Sequence, residues 1–276
     1  MINLKRELKN IGIKPIEQLS VQEKTNIAEQ VATKLSSLNV MGMSHNSVLE
    51  KIFDAKMYTA QMSTNLGHVS YFIKNKTIYF DKNLDLSKIN ENILHECIHY
   101  LQDKSERKQK NGKRIGLCTF EEYKVRGMAL NEVGIRYISN KLLKHNDKNK
   151  TFILLKQMLL ITGEEVFFDS ILNNNDNFQR KFMEQTNSES LYYKIENTFD
   201  SMFDLEQIIK RLNIDGKTSK TPERYLSKIN MHKHTINTKF SEAQWEMYNK
   251  YFSRKIELID KIEEIKDYKN EIFNFN

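Results

Sequence analysis

The segment His95-Glu96-Cys97-Ile98-His99 holds the residue types with the most chemistry to offer. On a helix, two histidines four residues apart project to the same side, one turn above the other. Their ring nitrogens can then meet one cation at about 2.0–2.1 Å, as tetrahedral zinc requires. Glu96 follows the first histidine and lies beside the cation rather than against it. From there its carboxylate can take a proton from a water that the cation has acidified. The spacing therefore predicts metal-assisted hydrolysis, with zinc as the expected cofactor, one ion per chain.

Two imidazoles leave the cation short of a third protein ligand, with water in the fourth position. His145, His232 and His234 fall in segments that read as polar connections. The extended spacing that would supply a nearby third histidine is not met, because positions 102 and 105 are Gln and Ser. A carboxylate from the next helix is the other source. Glu132 stands in Gly127-Met128-Ala129-Leu130-Asn131-Glu132-Val133-Gly134, among apolar neighbours where an ionised side chain needs a partner. Glu121 and Glu122 compete for the role from Phe120-Glu121-Glu122-Tyr123-Lys124, which reads as a first helical turn where exposed acids are ordinary.

The helix that must carry the two histidines reads from Lys88 to Asp103, capped by Asp85-Leu86-Ser87. Ile93, Leu94, Cys97, Ile98 and Leu101 form its apolar stripe, the mark of a helix laid on a core. Cys97 falls on that stripe and reads as a small core residue, as does Cys118. Upstream, Gly67–Ile73 and Thr77–Phe80 are rich in β-branched and aromatic residues on either side of Lys74-Asn75-Lys76, which predicts a β-hairpin and the only strands. His68, at the head of that hairpin, reads as structural. Residues 1–60 read as helical, with Val21–Leu38 capped by Ser20 and Glu23, and a second helix over Ser47–Tyr58. After the motif helix a loop leads to a further helix starting near Thr119 and running through Tyr137 to Leu143. Amphipathic segments then follow over Phe152–Leu172, Ser190–Leu212 and Glu242–Tyr268, with breaks at Asn173–Asp176 and Asn213–Pro222. Trp245, Tyr248, Phe252, Ile256, Ile259, Ile262 and Ile265 read as a core-packing stripe on the last of them.

Composition narrows the alternatives. A chain of 276 residues can bury a sizeable core as one large domain or two modest ones. No run approaches eighteen apolar residues, so no membrane-spanning helix is expected, and no apolar run follows the N-terminal charges to suggest a secretion signal. Two cysteines cannot build a disulfide framework and read as reduced thiols, which favours a cytoplasmic location. The net charge of +7 is densest over Lys104–Arg114, but no aromatics interleave there for base stacking. That run reads as a solvated connection, and no nucleic-acid partner is expected.

The chain resembles the gluzincin-type, thermolysin-like zincin metallopeptidases. The likeness rests on His95-Glu96-x-x-His99 and on Asn131-Glu132, thirty-two residues after His99 and following Gly127. In general layout it is more similar still to uncharacterised intracellular HExxH proteins of AT-rich Gram-positive bacteria. The resemblance spans roughly residues 65–140. It implies an α+β, mostly helical fold: a zincin-like core with a small β-hairpin or sheet and a helical C-terminal part. The domain organisation it suggests is an N-terminal helical segment over 1–60, a zincin-like metal-binding core over 61–145 and a helical C-terminal domain over 146–276. It further implies that His95, His99 and Glu132 bind zinc, that Glu96 is the general base, and that a peptide or protein is the substrate. Where the family carries an Asp one turn after the ligand Glu, this chain has Arg136, so Asp103 and Asn131 are the expected supports of the ligands. Tyr123 and Tyr137 are candidates to stabilise an oxyanion. A second reading keeps the metal site in a zinc-binding regulatory or interaction protein that is catalytically weak or inactive.

Overall fold

The computed structural model describes residues 2–63, 67–104, 107–109, 112–121, 124–145, 149–218 and 221–254. It is mostly helical, with one small mixed sheet and a second small sheet. Contacts divide the chain into two units. One comprises Met1–Gly116, Gly134–Asn146 and Phe168–Asn175; the other comprises Leu117–Val133, Asp147–Phe167 and Asp176–Asn276.

In the first unit, helix α1 (Ile2–Ile11) leads into strand β1 (Ile13–Gln18), then helices α2 (Val21–Ser36) and α3 (His45–Phe53). Strands β2 (Lys56–Met62), β3 (Val69–Phe72) and β4 (Thr77–Asp81) precede helix α4 (Glu91–Lys104). The sheet order is β1-β2-β4-β3, with β2 and β4 parallel and the outer pairs antiparallel. The hairpin expected from the sequence is β3 and β4, turned through Lys76 in the left-handed region at φ 53°. Ser20 and Glu23 form the expected capping box at the head of α2, where each satisfies a backbone N–H of the other.

Two strands lie in the stretch that reads as helical. Only Ile13 of β1 is buried, and Pro15 sits in that strand, so no alternation marks it. In β2 the fully buried residues are Met57 and Ala60, three apart because they belong to opposite faces that each bury a residue; this imitates helical spacing. Helix α3 therefore stops at Phe53, short of the expected Tyr58. The expected cap at Asp85–Ser87 is instead a local turn, in which Ser87 N–H donates to Asp85 Oδ1; the Ser87 hydroxyl first, and then this N–H, hold that carboxyl below its usual range. Asn90 caps α4, accepting from Ile93 N–H at 3.0 Å.

The basic connection contains a hairpin of β5 (Arg107–Gln109) with β6 (Gly112–Ile115), in place of a plain loop. A second hairpin, β7 (Cys118–Glu121) with β8 (Lys124–Arg126), occupies the start of the helix expected near Thr119. That helix, α5, begins only at Met128 and runs to Leu143. The long C-terminal segments become α6 (Lys150–Thr162), α7 (Glu164–Asn173), α8 (Asn177–Thr186), α9 (Glu189–Thr218) and α10 (Pro222–Lys250). Gly163 splits the expected Phe152–Leu172 helix, and α9 runs past the expected break at Asn213. The buried residues of α10 are Ile229, Ile236, Ala243, Gln244 and Met247, which leaves Trp245 outside them at 55% exposure rather than in the expected core stripe. Ile256, Ile259, Ile262 and Ile265 lie outside the described residues. No helix among the described residues is long and apolar enough to cross a membrane.

Candidate metal centre

Helix α4 is held flat on its unit by Ile93, Leu94, Cys97, Ile98 and Leu101, all fully buried. That orientation leaves His95, Glu96 and His99 half-buried on the other side. The C-terminal end of the helix is fixed by buried polar groups. Gln102 Nε2 donates to the Ile171 carbonyl, while Asn174 donates to the Gln102 carbonyl and accepts from Gly116 N–H. Burial raises the Cys97 thiol well above its ordinary pKa, with the Glu96 charge adding to the effect. Cys97 therefore stays protonated and inert, as a core residue should.

The two imidazoles converge as the four-residue spacing predicts. His95 Nε2 and His99 Nε2 are 3.1 Å apart, with ring centroids at 4.8 Å and planes at 68°. Two ligands at ~2.05 Å in a tetrahedral array stand about 3.3 Å apart, so this separation suits a shared cation. Glu132 completes the group: one ligand atom from each of His95, His99 and Glu132 lies within 4.8 Å of the others. Two nitrogens and a carboxylate oxygen are a donor set that zinc takes in sites with an open fourth position. The group could hold a metal ion, and it is the only such group of three or more among the described residues.

Local sequence fixes the start of α5, the helix that carries Glu132. Gly127 sits at φ +72°, and a Cβ at that position would stand 2.8 Å from the Leu117 carbonyl oxygen and 3.0 Å from a Glu196 carboxylate oxygen. Only glycine admits both the left-handed backbone and the close approach. Asn131 Oδ1 accepts the Leu117 N–H at 3.0 Å, and Asn131 N–H donates to the Gly127 carbonyl at 2.9 Å. The opening amide of α5, Ala129 N–H, donates to Asp200 Oδ1 at 2.9 Å. An acid placed there also favours the positive end of the helix dipole. Gly127→Ala is expected to destabilise this unit by about 2 kcal/mol, from strain and the carbonyl contact together. Urea unfolding would measure the loss, and zinc affinity should fall with it as Glu132 moves.

Glu96 is fixed by a contact that the sequence did not reveal. Its Oε2 accepts the backbone N–H of Tyr71, on the edge strand β3, at 2.8 Å. Its other oxygen takes no hydrogen bond from the described residues. The Tyr71 hydroxyl donates to Asp103 Oδ2 at 2.6 Å, and its ring meets Tyr100 edge-on. Tyr71 thus clasps α4 at two points, and the period-two pattern of β3 gave no sign of it. Asp103, expected behind a histidine, is buried and holds Tyr71, Lys76 at 3.4 Å and Lys113 at 3.8 Å.

The other candidates sit as follows. Glu121 is exposed on β7 and pairs with Arg126 at 3.3 Å, while Glu122 and Tyr123 lie outside the described residues. Tyr137 is five residues beyond Glu132 on α5, about 140° round the helix by its 3.6-residue turn. Arg136 and His145 both approach Glu91, each at 3.9 Å. His232 and His234 lie within α10 rather than in a connection.

The comparisons with known proteins are silent. No family model, curated protein or solved structure matches this chain.

Proposed function

We propose that the chain is a zinc-dependent metallopeptidase with a zincin-like core, in which His95, His99 and Glu132 hold the ion. The observation that carries this reading is the approach of these three side chains within 4.8 Å, with Glu96 next to His95 on the same helix. A bound zinc ion would supply Lewis acidity, polarising a scissile carbonyl and bringing the pKa of water toward ~7. The chain's own residues would do the rest. Glu96 takes a proton from the attacking water through one oxygen, while the Tyr71 amide holds the other oxygen still. The water oxygen bonds to the carbonyl carbon, the C–N bond breaks, and the proton on Glu96 passes to the leaving nitrogen. Strand β3 borders the sheet, so the groups of its outer edge other than the Tyr71 N–H, which Glu96 takes, offer a place where an extended peptide could align by strand addition.

Cleavage of an unstructured protein or a peptide library tests this reading. The expected result is hydrolysis that a chelator abolishes and one equivalent of zinc restores. Zinc bound at one ion per chain without any cleavage would favour the alternative, a zinc-binding regulatory protein.

A further inference from the structure

A second site lies on the sheet of the first unit. The register pairs Lys56 with Thr77 and Tyr58 with Tyr79, so the side chains of these four residues share one face. Helix α1 lies over that face with Leu4 and Leu8, but it is only ten residues long and covers it in part. What remains is a cavity of about 530 Å³, within the range of small-molecule sites.

The walls are apolar: Leu4 and Leu8 from the helix, Tyr58 and Tyr79 from the sheet, and Pro15 from β1. The tyrosine rings are 6.3 Å apart and tilted by 38°. The charged groups are few and of one sign. Lys5 and Lys56 are exposed at the cavity, and neither has an acidic partner among the described residues. The acid of α1, Glu7, is taken by Lys74 at 3.0 Å. Deeper in, Asn75 Nδ2 donates to the Tyr79 hydroxyl at 2.8 Å, while Asn75 Oδ1 is buried with no donor among the described residues.

We propose that this cavity binds an aromatic carboxylate, apolar ring inward and carboxylate toward Lys5 and Lys56. Flat tyrosine and proline surfaces favour a planar ring over a flexible tail. Lysines offer point charges and not the planar fork that arginine presents to phosphate, which suits one carboxylate. The site owes nothing to the metal centre, since its lining residues are all distinct from the metal group and from Glu96.

Calorimetric titration of the full chain with 2-naphthoate tests the assignment. Saturable binding of one molecule per chain is expected, at least tenfold tighter than 2-naphthamide and tighter than decanoate. Lys5→Gln combined with Lys56→Gln should weaken it at least tenfold with an unchanged circular dichroism spectrum, as both residues are exposed. His95→Ala should leave it unchanged. The proposal is overturned by no saturable binding, by equal affinity for the amide, by decanoate binding as tightly, by indifference to both lysine changes, or by loss on His95→Ala.

Discussion

Glu96→Gln should leave one zinc ion per chain in place while peptide turnover falls by about 10²–10⁴, the range a positioned general base supplies. The amide has nearly the size of the carboxylate, and its carbonyl oxygen can still accept the Tyr71 N–H now held at 2.8 Å. The clasp between β3 and α4 therefore survives, and a change in activity reports on proton transfer rather than on folding. What the amide cannot do is accept a proton at neutral pH. Unchanged kcat in a variant with full metal content would remove Glu96 from the reaction.

His99→Ala should act at the earlier step. Its Nε2 is 3.1 Å from that of His95, so its loss takes away one of the three proposed ligands and half of the imidazole pair. Zinc affinity should drop by more than the roughly 10–100-fold that losing a supporting contact costs. Stability gives an independent readout. Zinc at a thousand times its Kd stabilises the wild-type fold by about 4 kcal/mol if it binds only the folded chain. Thermal unfolding of His99→Ala should be the same with zinc and with chelator, whereas the wild type should separate the two by several degrees. A variant that still responds to zinc as the wild type does would contradict the assigned ligand.

The His95–His99–Glu132 group was legible in the sequence because its chemistry is local. Four residues on a helix bring His95 and His99 together whatever surrounds them, and the apolar stripe from Ile93 to Leu101 says which way they face. Glu132 was legible as an acid among apolar neighbours after a glycine. The structure gives the glycine its reason, a φ of +72° beside the Leu117 carbonyl. What stayed hidden is what distant segments supply. The Tyr71 amide that fixes Glu96, the Asp200 carboxylate at the head of α5 and the Asn174 amide behind α4 leave no periodic mark. The strands β1 and β2 were missed for a related reason. One has a single buried residue, and the other buries residues on both of its faces, so neither alternates. Near residue 119, an acidic and aromatic run that reads as a helix start pairs instead with Lys124–Arg126 as a hairpin.

Metal content decides whether two imidazoles and one carboxylate share a cation. Elemental analysis of the purified chain after equilibration with zinc and removal of the excess should find one ion per chain. X-ray absorption should show a shell of nitrogen and oxygen neighbours near 2.0–2.1 Å. Both signals should vanish together in His95→Ala. No retained zinc, or zinc retained equally by His95→Ala and Glu132→Ala, would contradict the account.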